Sequence, residues 1–261
     1  MNLKNLVELP NKQWTEKALR DLPKRDWGKK LEKEWEYKGK ILRVYSVEPQ
    51  AHLIGVTVPV GLLEGYPPDA ILVKSFEKNY KSPSNPQVVE KYGFERAHGE
   101  PIELLNYVFE VICDRATEAQ LNRYRTGHSK NYESGRYVRY IKHGLTIVFP
   151  HDVQAEKERW EFIEDIVKHD FERYVDAILK GAKLQDARRR IGEYRAVEST
   201  HAFNLRSIWH VARQRASKYS PNGKEAEPQI SSIAEQMVEA IKPYLPVFYD
   251  TLLRQIGKGY R

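Results

Sequence analysis

The spacing of hydrophobic positions along the chain changes near Pro150, from a strand-like pattern to a helical one. Before this proline, short runs rich in β-branched and aromatic residues predict strands over 41–45, 53–58, 107–112, 137–141 and 145–149. After it, apolar residues recur every three or four positions, which is the spacing of a helix face. Strands followed by helices predict an α+β fold with an antiparallel or mixed sheet, a central helix and a C-terminal helical part.

Three segments after Pro150 carry the helical spacing. The first apolar stripe consists of Trp160, Ile163, Val167, Phe171, Tyr174 and Ile178. The second helix is predicted over 204–216, and the third carries Ile230, Ile233, Met237 and Ile241 on one face. Stripes of this kind usually form the buried side of an amphipathic helix, so we assign them to the core.

The central helix is predicted from a start and a stop signal. Thr117, with Gln120 three residues later, resembles a capping box, so the helix is expected to begin there. It is expected to run through Arg125 and to stop at Gly127, with a loop after it. Gln120 and Arg123 would then share one helix face at a spacing of three.

The chain is interpreted as one domain over 1–261, with residues 1–40 as an N-terminal extension. This charged, lysine-rich stretch predicts a short helix followed by an exposed connection. Residues 80–85, YKSPSN, have the composition of a loop. No stretch approaches the roughly 20 apolar residues of a membrane helix, so no membrane association is expected. With a single cysteine in the chain, a reducing cytoplasm is the expected location.

Composition narrows the possible chemistry. The chain has 43 Lys and Arg against 36 Asp and Glu, which gives a net charge of +7 and suits a polyanionic partner or an anionic small substrate. Cys113 is the only cysteine, which excludes a disulfide framework and a cysteine-based zinc site. The eight histidines show no metal-ligand spacing, so no metal is expected.

Basic residues concentrate in three groups. The stretch 123–137, RYRTGHSKNYESGRY, combines four basic residues with three tyrosines and two serines, and a second group, ARRR, covers 187–190. In the 204–216 helix, Arg206, His210 and Arg213 share one face, while Leu205, Ile208 and Ala212 share another. Arginines beside hydroxyls and amides suit phosphate oxygens, so the groups predict binding of phosphorylated ligands.

Two other interpretations stay open for these groups. The 123–137 stretch alone also fits a polar helix end followed by a solvated loop. Three separated arginine groups also fit a nucleic-acid surface. The lysines are scattered and no helix-turn-helix, zinc finger or stacking platform is visible, so nucleic-acid binding is the less favoured alternative.

Three blocks of the sequence resemble one family. The run QLNRYRTGHSKNYESGRY over 120–137 resembles the flavin-dependent thymidylate synthase signature, R-H-R-x-x-S-x-N-E-x-S-x-R. The positions that match are Arg123, Arg125, Ser129, Asn131, Ser134 and Arg136. HGEPIELLNYVFEV from His98 and ARRRIGEYRAVESTHAFNLRSIWHVARQR from Ala187 resemble two further family segments in the same order. The resemblance covers 98–246.

The resemblance implies an α+β homotetramer with FAD at subunit interfaces. It further implies that NAD(P)H, expected as NADPH, reduces the flavin, and that methylenetetrahydrofolate donates a carbon to deoxyuridylate. By position, the implied FAD-binding residues are His98, Arg123, Tyr124, Arg125, Asn131, Asn204, Arg206 and His210. The implied nucleotide-binding residues are Gln120, Arg123, Ser134, Gly135, Arg136, Arg188 and Arg215, with Arg188 at the phosphate. Arg215 and Ser134 are the implied catalytic residues.

The chain departs from the family pattern at several positions. Tyr124 replaces the central histidine, and one residue, Gly127 or His128, is inserted before Ser129. The motif glutamate is displaced to Glu133, and Gly192 replaces a proline. These changes leave open a related enzyme that acts on uridylate or a cytidine nucleotide, or that leaves a hydroxymethyl group.

Cys113 bears on the mechanism. The other class of thymidylate synthase attacks the pyrimidine with a cysteine, whereas flavin chemistry needs no protein nucleophile. Cys113 ends a strand pattern, so we expect it to be packed rather than catalytic.

Overall fold

The computed structural model describes Arg20, residues 22–81 and residues 83–259, which form two β-sheets with helices packed against them. The strands are β1 Lys30–Tyr37, β2 Lys40–Ser46, β3 Gln50–Val56, β4 Asn106–Asp114, β5 His128–Tyr132, β6 Leu145–Ile147 and β7 Ala196–Asn204. The longer helices are α1 Ala70–Tyr80, α2 Arg115–Leu121, α3 Glu156–Phe162, α4 Lys168–Leu179, α5 Leu205–Arg215, α6 Pro228–Ile241 and α7 Tyr249–Gly257.

Short helical turns connect these elements. They are Gly61–Leu63, Pro86–Val88, Val89–Glu95, Pro101–Leu104, Tyr140–His143, Ile163–Val167, Leu184–Ala187, Arg188–Arg190, Pro221–Glu225 and Lys242–Tyr244. The predicted α+β fold, with mixed strand pairing and a helical C-terminal part, is confirmed.

The smaller sheet has the order β1-β2-β6, with β1 antiparallel and β6 parallel to β2. Strand β1 contradicts the predicted exposed connection. Trp35 and Tyr37 lie two positions apart on this strand, and both contact α4. The Trp35 indole donates to Glu172 at 3.1 Å, and the Tyr37 hydroxyl donates to Asp176 at 3.1 Å. The sequence here is dominated by charged residues, so the alternation of apolar and polar positions that predicts a strand was not recognised. The predicted N-terminal helix falls mainly on residues outside the described ones.

The larger sheet has the order β3-β4-β7-β5, with antiparallel neighbours throughout. Its long central pair runs in register from Asn106 opposite Asn204 to Asp114 opposite Ala196. One face is buried against α5 and α6, and Phe109, Val111 and Cys113 of β4 belong to this core. An isolated antiparallel bridge between Ile147 and Arg195 joins the two sheets.

The strand predictions succeed best at the centre of the sheets. Those over 41–45 and 107–112 are confirmed, whereas β3 begins three residues before the predicted 53–58 strand and β6 ends at Ile147. The predicted strand over 137–141 is wrong, because the Ser134 carbonyl accepts hydrogen bonds from the Tyr137 and Val138 amides and closes a turn. The predicted loop after Gly127 is also wrong, since residues 128–132 form β5 at the edge beside β7.

The central helix exists, but its predicted limits are wrong. Asp114, rather than Thr117, caps it, because Asp114 Oδ1 accepts from the Thr117 amide at 2.8 Å. The Thr117 hydroxyl donates to Asp114 Oδ2 at 2.7 Å instead of pairing with Gln120. The helix ends at Leu121, so Arg123 and Arg125 lie on the loop that follows it.

The later helices agree closely with their sequence patterns. Asn204 caps α5, and every residue of the third stripe is buried on α6. In the first stripe Ile163, Val167, Phe171 and Tyr174 are buried, but Trp160 is 63% exposed, so its core assignment is wrong. The Ile163–Val167 turn is a π-helical one, which changes the phase of the residues before it.

Candidate functional site

An open cleft of about 520 Å³ lies between α5 and the loop 122–127. We call it the arginine cleft, and its lining residues are Arg123, Tyr124, Arg125, Thr126, Arg206, Ser207, His210, Gln214 and Arg215. The structure thus brings together five of the implied FAD-binding residues and two implied nucleotide-binding residues, Arg215 and Arg123, the latter implied for both ligands. Its volume is within the range of small-molecule sites.

Gly127 and Asn204 fix the loop against the start of α5. Gly127 has a positive φ of 62°, and a Cβ there would lie 2.0 Å from Asn204 Nδ2. The Asn204 amide donates to the Gly127 carbonyl at 2.9 Å, and Asn204 Oδ1 accepts from the Ser207 amide at 2.8 Å. The Ser207 hydroxyl donates to the Thr126 carbonyl. Asn204 therefore holds the loop against α5 without lining the cleft itself.

Tyr124, which stands in place of the family histidine, is buried and holds two cleft side chains. Its hydroxyl donates to Gln214 Oε1 at 2.8 Å and accepts from Arg215 Nε at 3.1 Å. Its ring meets the His210 ring edge-on, with centroids 5.6 Å apart. Tyr124 therefore sets the position of the Arg215 guanidinium, which keeps its other nitrogens for a ligand.

Arg206 is held at the opposite wall of the cleft. Its Nη1 donates to Glu103 at 2.6 Å, and a Cβ at Gly99 would lie 2.6 Å from its Nε. This close approach places His98, the residue before Gly99, next to the same wall with its side chain exposed. Burial, followed by the charges of Arg213 and Arg206, lowers the pKa of His210, so a neutral ring faces the cleft at neutral pH.

A chain of hydrogen-bonded polar side chains contacts the loop at the Tyr124 carbonyl. The Tyr124 carbonyl lies 2.6 Å from His128 Nδ1, and His128 Nε2 lies 2.8 Å from His201 Nδ1. His201 Nε2 in turn lies 2.8 Å from the Ser199 hydroxyl and 3.2 Å from Glu118, which is fully buried. A carbonyl only accepts, so His128 carries its hydrogen on Nδ1 and accepts from His201 at Nε2.

Four of the five remaining implied nucleotide residues lie at the other end of β5. We call this region the Gly135 turn, which consists of Ser134, Gly135 and Arg136 together with Arg188, whose Cδ would lie 3.1 Å from a Cβ on Gly135. Five strand residues separate it from the arginine cleft, a span of about 16 Å. Asn131 lies between the two, opposite Thr200, and lines a separate surface groove.

Glu133, the displaced motif glutamate, lies at the start of the Gly135 turn. It is partly buried, and the Tyr140 hydroxyl lies 3.4 Å from its Oε1. Burial, followed by the charge of Glu198, raises the pKa of Glu133, while Arg195 and Lys29 act in the opposite direction. Gln120 is distant in sequence from this group and donates to Glu227 at 2.5 Å.

Sequence reasoning missed several residues of these regions. Ser207 and Gln214 line the cleft. Ser207 follows Arg206 directly and Gln214 lies one helical turn after His210, so their place on α5 could have predicted their role. His201 on β7 and Arg195 just before it carried no local signal, because strand β7 was not predicted, and Glu118 on α2 was missed because its contact with His201 spans 83 positions. Arg213, expected on the Arg206 face, instead donates to the Gly259 carbonyl and lies over Trp209.

Comparisons with known proteins give a family and solved structures of related fold, among them two of one enzyme. Curated protein sequences contain no significant match. The UMP/dUMP methylase PolB from Streptomyces cacaoi bound with 5-Br dUMP aligns with a TM-score of 0.66 at 17% identity, over 81% of this chain and 96% of that one. The same enzyme bound with 5-Br UMP gives 0.65 at 18% identity, over 84% and 99%. At this identity the likeness establishes the fold.

Within the described residues, no helix is both long and apolar enough to cross a membrane. Residues 66–247 match the family described as thymidylate synthase complementing protein, and this match contains both the arginine cleft and the Gly135 turn. The chain belongs to this flavin-dependent thymidylate synthase family.

Proposed function

We propose that the protein is a flavin-dependent pyrimidine nucleotide methylase, which transfers a carbon from methylenetetrahydrofolate to deoxyuridylate and yields thymidylate, with NADPH as the reductant. The observation that carries the proposal is the arginine cleft, which is built on the signature loop and on the Asn-x-Arg-Ser helix of the family. The two structures of related fold are described as UMP/dUMP methylases, which supports a pyrimidine monophosphate as the acceptor.

The cleft residues fit FAD. Four arginines and the Thr126 hydroxyl suit a pyrophosphate, and the Tyr124 and His210 rings offer surfaces for an aromatic system. We assign FAD binding to the cleft, with His98 and Asn204 at its edge and Asn131 toward the sheet. The bound flavin supplies the reducing equivalents that the transferred carbon requires.

The protein's own contribution is binding and electrostatics. Arg215 is oriented by the Tyr124 hydroxyl, so its guanidinium has a fixed position from which to stabilise negative charge on a pyrimidine ring. Ser134 accepts only a long 3.4 Å hydrogen bond from the Arg136 amide, so its hydroxyl hydrogen remains to be donated to the nucleotide. We propose Arg215 and Ser134 as catalytic residues, with Gln120, Arg123, Gly135, Arg136 and Arg188 as nucleotide ligands.

The proposed methyl transfer uses no protein nucleophile. Cys113 is fully buried in β4, and burial, reinforced by the Glu118 and Asp114 charges, raises the pKa of its thiol well above the usual value. The thiolate is the nucleophilic form, and a buried thiol with a raised pKa does not supply it. This environment supports the flavin route.

The arrangement of nucleotide residues supports a site shared between subunits. Arg123 and Arg215 lie at the cleft end of β5, whereas Ser134, Arg136 and Arg188 lie at the other end, about 16 Å away. A nucleotide that touches both groups therefore needs the cleft of one chain and the Gly135 turn of another. We propose a homotetramer, with the cytoplasm as its location, and light scattering that gives a monomer at micromolar concentration would contradict it.

The decisive experiment has two parts. Purified protein should be yellow and release FAD on denaturation, and colourless protein that takes up no added FAD would leave the alternative of a basic nucleic-acid-binding protein. The reduced holoenzyme should then be given methylenetetrahydrofolate with deoxyuridylate, uridylate or cytidylate in competition. Mass analysis distinguishes a methyl from a hydroxymethyl product and identifies the acceptor.

The displaced Glu133 sets the expected selectivity. A shift by one position on an extended segment turns a side chain to the opposite face, and Glu133 contacts Tyr140 within the chain. A directional acceptor is then missing beside the nucleotide, so we expect weaker than usual preference for deoxyuridylate over uridylate. Strong selectivity for deoxyuridylate would contradict the relaxed site while leaving the methylase assignment intact.

A further inference from the structure

Arg195 is a buried arginine whose side chain forms no ion pair and no hydrogen bond with the residues that the structure describes, although its charge acts on nearby Glu133. Its side chain lies at the start of β7 with a 9% exposed fraction, and its buried Nε has no hydrogen-bond partner. Its guanidinium lies over the ring of Tyr140, with the guanidinium carbon 5.8 Å from the ring centroid. Buried charges are ordinarily paired, because an isolated one loses its hydration without compensation.

The surroundings of Arg195 show where a counter-charge belongs. A Cβ built on Gly135 would lie 3.1 Å from Arg188 Cδ and 3.4 Å from Arg195 Nη1, so both arginine side chains contact the same glycine. The two side chains therefore bring two positive charges to one turn, and an anion bound there would offset both. Glu133 is nearby, but it forms no ion pair with either arginine within the described part of the chain.

Gly135 itself is buried and keeps this space free of side-chain atoms. Any other residue would add a carbon where the two arginines approach the backbone. Ser134 adds a hydroxyl on the same turn. The combination of two cations, a hydroxyl and an open backbone is the chemistry that binds a phosphate group.

We propose that Arg195 is a second phosphate-binding arginine, which together with Arg188 binds the 5′-phosphate of the pyrimidine nucleotide at the Gly135 turn. This inference rests on the proposed function. A phosphate monoester carries a charge of about −1.5 to −2 at neutral pH, which two guanidinium groups neutralise better than one. Arg195 is therefore a determinant of nucleotide-over-nucleoside selectivity.

The test compares ligands that differ only by the phosphate. FAD-loaded wild-type enzyme and the variants Arg195→Met and Arg195→Lys are titrated by calorimetry with deoxyuridylate, with deoxyuridine and with inorganic phosphate. We expect Arg195→Met to weaken deoxyuridylate binding at least tenfold and to leave deoxyuridine unchanged, with Arg195→Lys intermediate. Arg190→Met is the matched control, because Arg190 is exposed and donates to the Asp186 carbonyl at 3.0 Å.

Stability gives a readout that a structural arginine would not produce. Replacing a buried, unpaired cation by an apolar side chain of similar length removes an uncompensated charge. The Arg195→Met protein should therefore melt at a higher temperature than wild type without ligand, and gain less from added deoxyuridylate. If Arg195→Met does not fold, Arg195→Lys and the Arg188→Met, Arg195→Lys pair carry the comparison.

The outcomes separate this inference from the proposed function. Wild-type binding of deoxyuridylate that Arg195→Met leaves unchanged, or equal losses for deoxyuridylate and deoxyuridine, would overturn the role of Arg195 alone. Wild-type enzyme that binds FAD but no pyrimidine nucleotide would overturn the proposed function as well. Inorganic phosphate that binds as tightly as deoxyuridylate, with the same dependence on Arg195, would identify a free-phosphate site and overturn the nucleotide assignment.

Discussion

The arginine cleft and the Gly135 turn lie at opposite ends of β5 and differ in how their arginines are paired with other side chains. In the cleft, Arg206 is paired with Glu103 and Arg215 contacts the Tyr124 hydroxyl. At the turn, Arg195 forms no ion pair with any described residue, and its buried Nε has no hydrogen-bond partner there. The cleft is therefore held in shape by protein contacts before any ligand binds, which is the condition for preorganised recognition of a large cofactor. If the proposal for Arg195 is correct, the turn instead depends on the charge of its ligand.

The largest expected effect comes from the glycine that shapes the cleft. Gly127→Ala places a Cβ at a positive φ and against the Asn204 amide, so backbone strain and a clash with the α5 cap act together. We expect a loss of at least about 3 kcal/mol in the free energy of unfolding, together with loss of bound FAD. Denaturant unfolding and flavin absorbance measure both quantities. Gly61→Ala, also at positive φ but with open space around it, controls for strain alone.

Two alanine variants test whether the regions are functionally separate. Arg188→Ala should weaken nucleotide binding by about 1.5–3 kcal/mol, the range for hydrogen bonds to a charged group, and leave FAD content almost unchanged. Arg206→Ala should instead lower FAD occupancy first. Flavin content and nucleotide titration of each variant give the four measurements. Joint loss of both ligands in Arg188→Ala would show that Arg188 supports the fold rather than one site.

Acid should weaken the cleft through His128. Burial lowers the pKa of His128 to about 4, with the charges of His201 and Lys130 acting in the same direction and the Tyr124 carbonyl and Glu118 opposing them. The unfolded state, with a pKa near 6.5, then takes up the proton first, so stability falls as the pH drops from about 6.5 to about 4. The loss should reach about 2 kcal/mol, less than the full shift implies because water screens a partly exposed ring.

The measurement is the free energy of unfolding from pH 7.5 to 4.5, with FAD content followed in parallel. His128→Gln keeps an N–H donor for the Tyr124 carbonyl but does not titrate, so its stability should change less over this range. An equal pH dependence in the two proteins would place the titrating group elsewhere. Lys130→Gln, on the same strand, serves as the surface control.

The sequence predicted those parts of the molecule whose signals are local. Asn204 is of a type that caps helices and is followed by the apolar face of Leu205, Ile208 and Ala212, so α5 was predicted within a residue of its observed ends. Strand β5 was missed because four of its five residues are exposed and polar, and only pairing with β7 makes them a strand. The His128–His201 contact and the approach of Arg195 to Gly135 join residues 60–73 positions apart, which no local pattern encodes.

The smallest effect on turnover is expected at Cys113, which belongs to neither region. Cys113→Ser buries a hydroxyl in a fully enclosed strand position, so the free energy of unfolding should fall by about 1–3 kcal/mol. Cys113→Ala removes the sulfur without adding a polar group, and it separates packing from polarity. Both variants should retain most of the wild-type rate per bound flavin, because a route through reduced flavin needs no thiolate. If both variants are folded, bind FAD and nucleotide normally and yet form no product, the flavin route without a protein nucleophile is wrong.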